Sequence, residues 1–455
     1  MLCLPDSRRD DDPSVHHLRR VMEDACSLTA LILAAWQVAR VLAVHLVEAV
    51  LAERAQRPPA WPPCPACGAS LRSQGVARRQ RMSLGGLMQW HRRIGRCPQG
   101  CASPQVAPFE AVLGVQPHQR TSRELQCLGG ALAVLVPFAI AARLLGWYCG
   151  GGVSPRAVWC WVQAAGRQAL AYLPEALAAV APGHEPTPEP LTAAQVALPL
   201  ALGADGVMVP CRPEAGAPRG KIRWREVTGG ILARIDQHRT RAGQVVTRLT
   251  QRRRGAVLGD MEALKPRLWL EALRQGLRTA PQVVWLSDGG RGVGRLFDEC
   301  CAGAATGIWD FYHAAQHLWK SAAAWRAGRT TQARRWFTWA RHRLRHGQPD
   351  GVLGALAEAL DVEGVPDTAR DPVMTVSASL ERHRDHIDYA AYKELGLPLG
   401  SGMVESACKW LIQQRCKGVG RRWSEDGCNH LVHLRLAWVN GRFEPLVGLA
   451  LSPNQ

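Results

Sequence analysis

Lysine is nearly missing from this chain. Of its 56 basic side chains only six are lysine and 50 are arginine, against 38 acids, for a formal net charge of +18. The shortage of acid excludes an evenly balanced surface. Arginine forks match phosphate oxygens in pairs, so a polyanionic partner is expected, with nucleic acid foremost. A GC-rich genome explains why arginine replaces lysine, but not why base exceeds acid. The opening residues alternate acid and base and lack an apolar core with a small-residue cleavage site, which argues against export. An uninterrupted apolar run of membrane length is also lacking. The stretch Leu28 to Leu51 contains Gln37, Arg40, His45 and Glu48, so we expect an amphipathic helix and no membrane partner. Without export, the 15 cysteines read as reduced thiols in a cytoplasmic protein. No internal repeat at solenoid periods occurs, which excludes a stacked-repeat architecture.

What is present divides into segments. At 455 residues the chain is too long for one core, and two to four domains are expected. Residues 1–57 hold an N-terminal helix over 15–54, with an apolar stripe at Leu31, Ala35, Val38, Leu42 and Leu46, to pack on its own chain or a second copy. Prolines at 58, 59, 62 and 63 end it. Residues 58–108 carry Cys64-x-x-Cys67 and Cys97-x-x-x-Cys101, 29 residues apart. Two short pairs complete four thiolate ligands, the pattern of a small ribbon with a structural Zn²⁺. Unmetallated turns and a disulfide pair are the alternatives. Arg78, Arg79, Arg81, Arg92, Arg93 and Arg96 lie between the pairs, placed as phosphate contacts would be. Residues 109–182 read as helical. Phe138–Leu145, a glycine turn, and a helix capped by Ser154 are helix-turn-helix-like, though a plain helical hairpin fits equally.

A proline-rich linker at 183–197 precedes a change to strands. Leu198 to Ala204 is an apolar run ending at Asp205-Gly206, with Val207-Met208-Val209 after it, which suggests a hairpin. Further strands are expected over Ile222–Ile235 and Val245–Leu249, then a helix from Met261 that Asp260 caps. Val283 to Leu286 is a strand ending near Asp288-Gly289, and Ile308-Trp309-Asp310 ends another. These place residues 198–313 in the first part of a mixed α/β core. Residues 314–396 read as helical, rich in tryptophan and arginine. Residues 397–445 return to the core, with a glycine turn at 400–402, a helix bearing Glu405, and a last helix capped by Ser424; 446–455 form a tail. Asp-Gly marks any tight turn, and Glu405 read alone is a rim residue. Two strand-end aspartates and a helix-borne glutamate together suit a pair of Mg²⁺ or Mn²⁺ ions and phosphodiester chemistry. His342 and His346 sit among arginines and read as a solvated basic face.

The order of these motifs resembles the insertion-sequence transposases of bacteria. They are Asp205, Leu286-Ser287-Asp288-Gly289, Trp309-Asp310-Phe311-Tyr312-His313, a helical stretch, Gly400-Ser401-Gly402-Met403-Val404-Glu405 and Gly420-Arg421-Arg422-Trp423. The ISKra type of the Mutator-like superfamily is the nearest in pattern. The resemblance implies an α/β (α+β) fold: a ribonuclease H-like catalytic core with an all-helical insertion, preceded by a zinc ribbon and a helical domain. It implies a DDE triad of Asp205, Asp288 and Glu405, supported by Asp310 and His313, that cleaves and joins DNA strands. Lys409, Lys417, Arg421 and Arg422 are the expected contacts to the double-stranded DNA that the resemblance implies, and a homo-oligomer assembled on the element's ends in a bacterial nucleoid is the expected working form. Gly289-Gly290 stands where that family carries an alanine. A non-catalytic DNA-binding protein on the same core, or a metal-dependent nuclease, is the alternative.

Overall fold

The computed structural model describes residues 20 and 22–449, apart from 58–59, 103–104, 181–183, 214–215, 217, 219, 327, 329 and 363–366. The chain divides into two compact units, one running to Val162 and the other spanning Gln163–Gly448.

In the first unit, helix α1 (Leu28–Ala55) starts where the Ser27 hydroxyl accepts the Ala30 N–H at 3.1 Å. Residues 20, 22 and 23 are helical as well, so the helix expected over 15–54 is interrupted at 24–27 ahead of that cap; residues 15–19 and 21 lie outside the described ones. The expected apolar stripe does not form a buried seam. Leu31, Leu42 and Leu46 are exposed, as are Leu28, Ile32 and Leu33, and only Ala34 is buried. By length and composition α1 is long and apolar enough to cross a membrane. An antiparallel hairpin follows, β1 (Arg72–Met82) and β2 (Leu87–Arg96). Helices α2 (Arg123–Leu135) and α3 (Phe138–Cys149) come next. Gly150, at φ +61°, closes α3, and Ser154 caps α4 (Pro155–Val180) through the Ala157 N–H. The division between the units falls within α4. The proline-rich stretch beyond it is tied into the second unit, where Glu189 binds Arg253 and Arg442.

The second unit is built on a five-stranded mixed sheet in the order β5-β4-β3-β6-β7. Strands β3 (Leu200–Cys211), β4 (Arg223–Arg239) and β5 (Val245–Leu258) are antiparallel neighbours, while β6 (Val283–Ser287) and β7 (Thr306–Trp309) run parallel to β3. Strand β3 corrects one expectation. Asp205-Gly206 makes no turn: β3 pairs with β4 without a break from Leu200↔Arg234 to Cys211↔Arg223. Twelve consecutive pairings outweigh the local turn preference of Asp-Gly.

Alternation along the strands splits the core in two. On one face Leu202, Leu232 and Trp285 pack under α5 (Met261–Arg274), which Asp260 caps, and α6 (Arg291–Cys300). On the other, Ala201, Val284, Leu286 and Ile308 meet the helical insertion, formed by α7 (Phe311–Trp325), α8 (Thr331–Arg345), α9 (Pro349–Asp361), α10 (Asp367–Arg382) and a short helix at Tyr389–Glu394. Each large side chain buried here contributes roughly 1.5–3 kcal/mol. Among the described residues this stretch forms helices and turns and holds no strand. After it, α11 (Gly402–Cys408) runs through one π-helical turn, Lys409–Gln413, to Cys416, and Ser424 caps α12 (Glu425–Val439).

Candidate active site

Register places the aspartates. In the parallel ladder Gly203 pairs with Leu286, and Ser287 pairs with Trp309. Two residues beyond the first pair lie Asp205 and Asp288; one beyond the second lie Asp288 and Asp310. Asp205 lies within β3, and Asp288 and Asp310 directly follow the last residues of β6 and β7, so the parallel register brings the three aspartates to neighbouring strand ends.

Glycines bring Glu405 to these aspartates. A Cβ on Gly203 would stand 2.5 Å from Val404 Cγ2, and one on Gly229, the partner of Asp205 on β4, 3.0 Å from Cys408 Sγ. Without side chains there, α11 settles onto the sheet, and Cys408 points its thiol at the Asp205 carbonyl at 3.7 Å. Asp205, Asp288 and Glu405 then line one cavity of about 350 Å³, with His313, Gln316, Ser401 and Lys409. Burial raises the Asp205 carboxyl above its ordinary range. The Gly206 N–H opposes this, and the Asp288 and Glu405 charges add to it. Each aspartate keeps one oxygen on local backbone: Gly206 N–H donates to Asp205 Oδ1 at 2.7 Å and Gly290 N–H to Asp288 Oδ1 at 2.8 Å. The second oxygen of each is left for a ligand. Glu405 Oε2 meets Lys409 Nζ at 3.3 Å. Crowded carboxylates with one ammonium are an oxygen-rich set that fits Mg²⁺ or Mn²⁺.

Asp310 works differently. It is 3% exposed, and both its oxygens are occupied. Oδ1 accepts the Tyr312 and His313 N–H groups at 2.6 and 3.1 Å, and Oδ2 accepts the N–H and hydroxyl of Ser401, both at 2.6 Å. Burial would push this carboxyl up, but the donors from Ser401, His313 and Tyr312 outweigh it and hold it below its ordinary value. His313 Nδ1 lies 3.4 Å from Asp310 Oδ2. Asp310, His313 and Glu405 bring ligand atoms within 4.8 Å of one another, yet a carboxylate already accepting four donors makes a poor metal ligand. Asp205, Asp288 and Glu405 are the better set.

Gly289 has a reason for being glycine. At φ +89°, its Cβ would stand 2.5 Å from Trp309 Nε1, which donates to the Asp288 carbonyl at 3.0 Å. Ser401 is a site residue that sequence reasoning misses; its flanking glycines are the available signal. Lys409 stands in the cavity against Glu405. Arg421 caps helix-end carbonyls of Gln414, Arg415 and Lys417 at 3.2, 2.7 and 3.4 Å. Lys417 and Arg422 are exposed on the turn beyond.

In the first unit Cys64, Cys67, Cys97 and Cys101 bring their sulfurs within 4.8 Å of one another. Zn–S bonds of about 2.3 Å in a tetrahedron put sulfurs about 3.8 Å apart, so the set fits Zn²⁺. Gly68 at φ +72° and Gly100 at φ +69° turn the two knuckles. The neighbouring Cys67 and Cys97 thiols push the Cys101 thiol up to about 12, so a metal must displace its proton. Of the arginines between the pairs, Arg79 and Arg92 bind the buried Glu110 at 3.3 and 2.9 Å, and Arg81 donates to the Thr121 carbonyl at 2.9 Å. Arg78, Arg93 and Arg96 stay exposed.

No family model matches this chain, and no curated protein matches it. Among solved structures, the Drosophila P element transposase strand transfer complex is similar at a TM-score of 0.27 and 9% identity, over 74% of this chain and 83% of that one. A likeness this loose carries neither fold nor activity across.

Proposed function

We propose that this chain is a DNA transposase of an insertion sequence, with a ribonuclease H-like core of the ISKra type. The observation that carries the reading is the convergence of Asp205, Asp288 and Glu405 in one cavity from two neighbouring parallel strands and the helix that follows the insertion. Three carboxylates facing a polyanion repel it unless cations intervene, so the site makes chemical sense for DNA with divalent metal bound.

Asp205, Asp288 and Glu405 would hold two Mg²⁺ or Mn²⁺ ions. Such ions supply Lewis acidity to the attacking water or 3′-hydroxyl and to the leaving oxygen. Asp310 sets the His313 ring at the cavity wall, where the imidazole can donate to a phosphate oxygen. Lys409, paired with Glu405 at 3.3 Å, holds an ammonium at the cavity wall that can meet a phosphate oxygen. The thiolate ribbon, with structural Zn²⁺, and the helices after it bind the element's ends. A homo-oligomer on DNA in the bacterial cytoplasm completes the proposal.

The test is Mg²⁺-dependent cleavage and joining of terminal-repeat DNA. Asp288→Ala and Glu405→Ala should each abolish both steps while DNA binding persists. Cleavage unchanged in both variants would sink the triad. Cutting without joining would make the protein a nuclease, and binding without cutting a DNA-binding protein on the same core.

A further inference from the structure

The helical insertion is divided by charge. From Phe311 to Gln348 the sequence holds eight arginines and lysines and no aspartate or glutamate; from Pro349 to Asp388 it holds nine acids and three arginines. Codon bias would scatter arginine over both halves, so composition does not account for the split. Nor does solubility, which favours mixed signs.

The basic half is α7 and α8. Among the described residues, Arg334, Arg335, Arg341, Arg343 and Arg345 of α8 take part in no ion pair, although the acidic helices α9 and α10 belong to the same bundle. Arg384 instead pairs within the acidic half, with Asp350 and Glu381. Arg334, Arg335, Thr338 and His342 line a shallow open groove along α8 with Trp339. Their spacing of three and four residues sets them on one helix face. Helix α7 links this region to the catalytic cavity. His313 and Gln316 line the cavity, and Lys320, one turn further on the same face, is exposed.

We infer that α7 and α8 form a second binding surface for duplex DNA, which grips the sugar-phosphate backbone of the segment leaving the catalytic cavity. Arg341 and Arg345 lie over the Phe311 ring and Arg343 over Trp339 with Gln348, whereas the exposed Arg334 and Arg335 forks, in no ion pair among the described residues, match a row of phosphates and no neutral or cationic partner. The inference rests on the proposed DNA function and extends it to the insertion, whose acidic half faces no phosphate in this scheme.

The experiment measures binding of the full-length protein to a fluorescent duplex by anisotropy, titrated in salt. Removing one arginine–phosphate pair should flatten the log–log salt dependence by about 0.9. Arg334→Ala with Arg335→Ala should therefore shrink the wild-type advantage about 12-fold between 50 and 200 mM salt, the roughly 1.8 units of slope carried by two such pairs. The charge-reversed pair R334E/R335E should weaken binding further, and Arg382→Ala, in the acidic half, should leave the slope unchanged. Equal slopes for wild type and both double variants would overturn the inference, as would a loss seen only with single-stranded DNA. A wild-type protein that binds no duplex would overturn the proposed function instead.

Discussion

Ser401 gives both its backbone N–H and its hydroxyl to a single oxygen of Asp310, each at 2.6 Å. The other oxygen of Asp310 caps α7 at the start of the insertion. One carboxylate thus holds together the two ends of a helical excursion whose closing residues lie 91 positions apart. Closure entropy grows slowly, by roughly 0.6 kcal/mol for each doubling of loop length. With its ends clasped, the insertion can take a load without loosening the turn that delivers Glu405.

Ser401→Ala removes the hydroxyl and keeps the N–H. A buried carboxylate deprived of one donor costs about 1–3 kcal/mol, so the urea midpoint should fall. Cleavage should fall further than stability explains, because Glu405 loses its anchor. Wild-type cleavage in a destabilised Ser401→Ala protein would show that the clasp serves folding alone.

The two buried aspartates predict opposite acid responses. Asp310 is held below its ordinary value, 3.8, so the stability it contributes is present above that pH and is lost as pH falls through its folded value. Asp205 is raised above 3.8. Its contribution is fullest below that value and is lost as pH rises through the folded one, so its ionised form weakens the metal-free protein. Asp205→Asn should therefore raise the melting temperature at neutral pH, by about 2–4 °C for each kcal/mol relieved. Asp310→Asn should lower it, with the difference from wild type closing in acid. Calorimetry across pH 2–7, roughly the span of carboxyl titration, checks both signs.

Purified protein should carry about one Zn²⁺ per chain. Cys97→Ser should abolish it, and chelation should unfold the first unit while leaving the second unit's melting transition in place. Full metal retention in Cys97→Ser would remove that thiolate from the ligand set.

Much of the second unit is legible from local pattern. The strand before Asp288, the caps at Asp260 and Ser424, and the helix bearing Glu405 follow from alternation, turn residues and capping chemistry, all short-range. What is not legible depends on which groups the folded backbone brings together. Asp205-Gly206 looks like a turn until β4 is laid beside it. Arg421 looks free for phosphate until helix-end carbonyls claim it. The stripe on α1 satisfies helical periodicity, but periodicity does not supply a surface to cover it.

On the proposed function, the placing of Asp205 within β3 and of Asp288 and Asp310 directly after β6 and β7 would tie catalysis to strand register. A slip of one residue along β6 would turn Asp288 to the opposite face, among Leu202, Trp285 and Leu296. Single-residue insertions or deletions in this five-residue strand should then act as silent disablers, leaving a folded protein that, if it is the proposed transposase, would still engage DNA and compete with intact copies for the same ends.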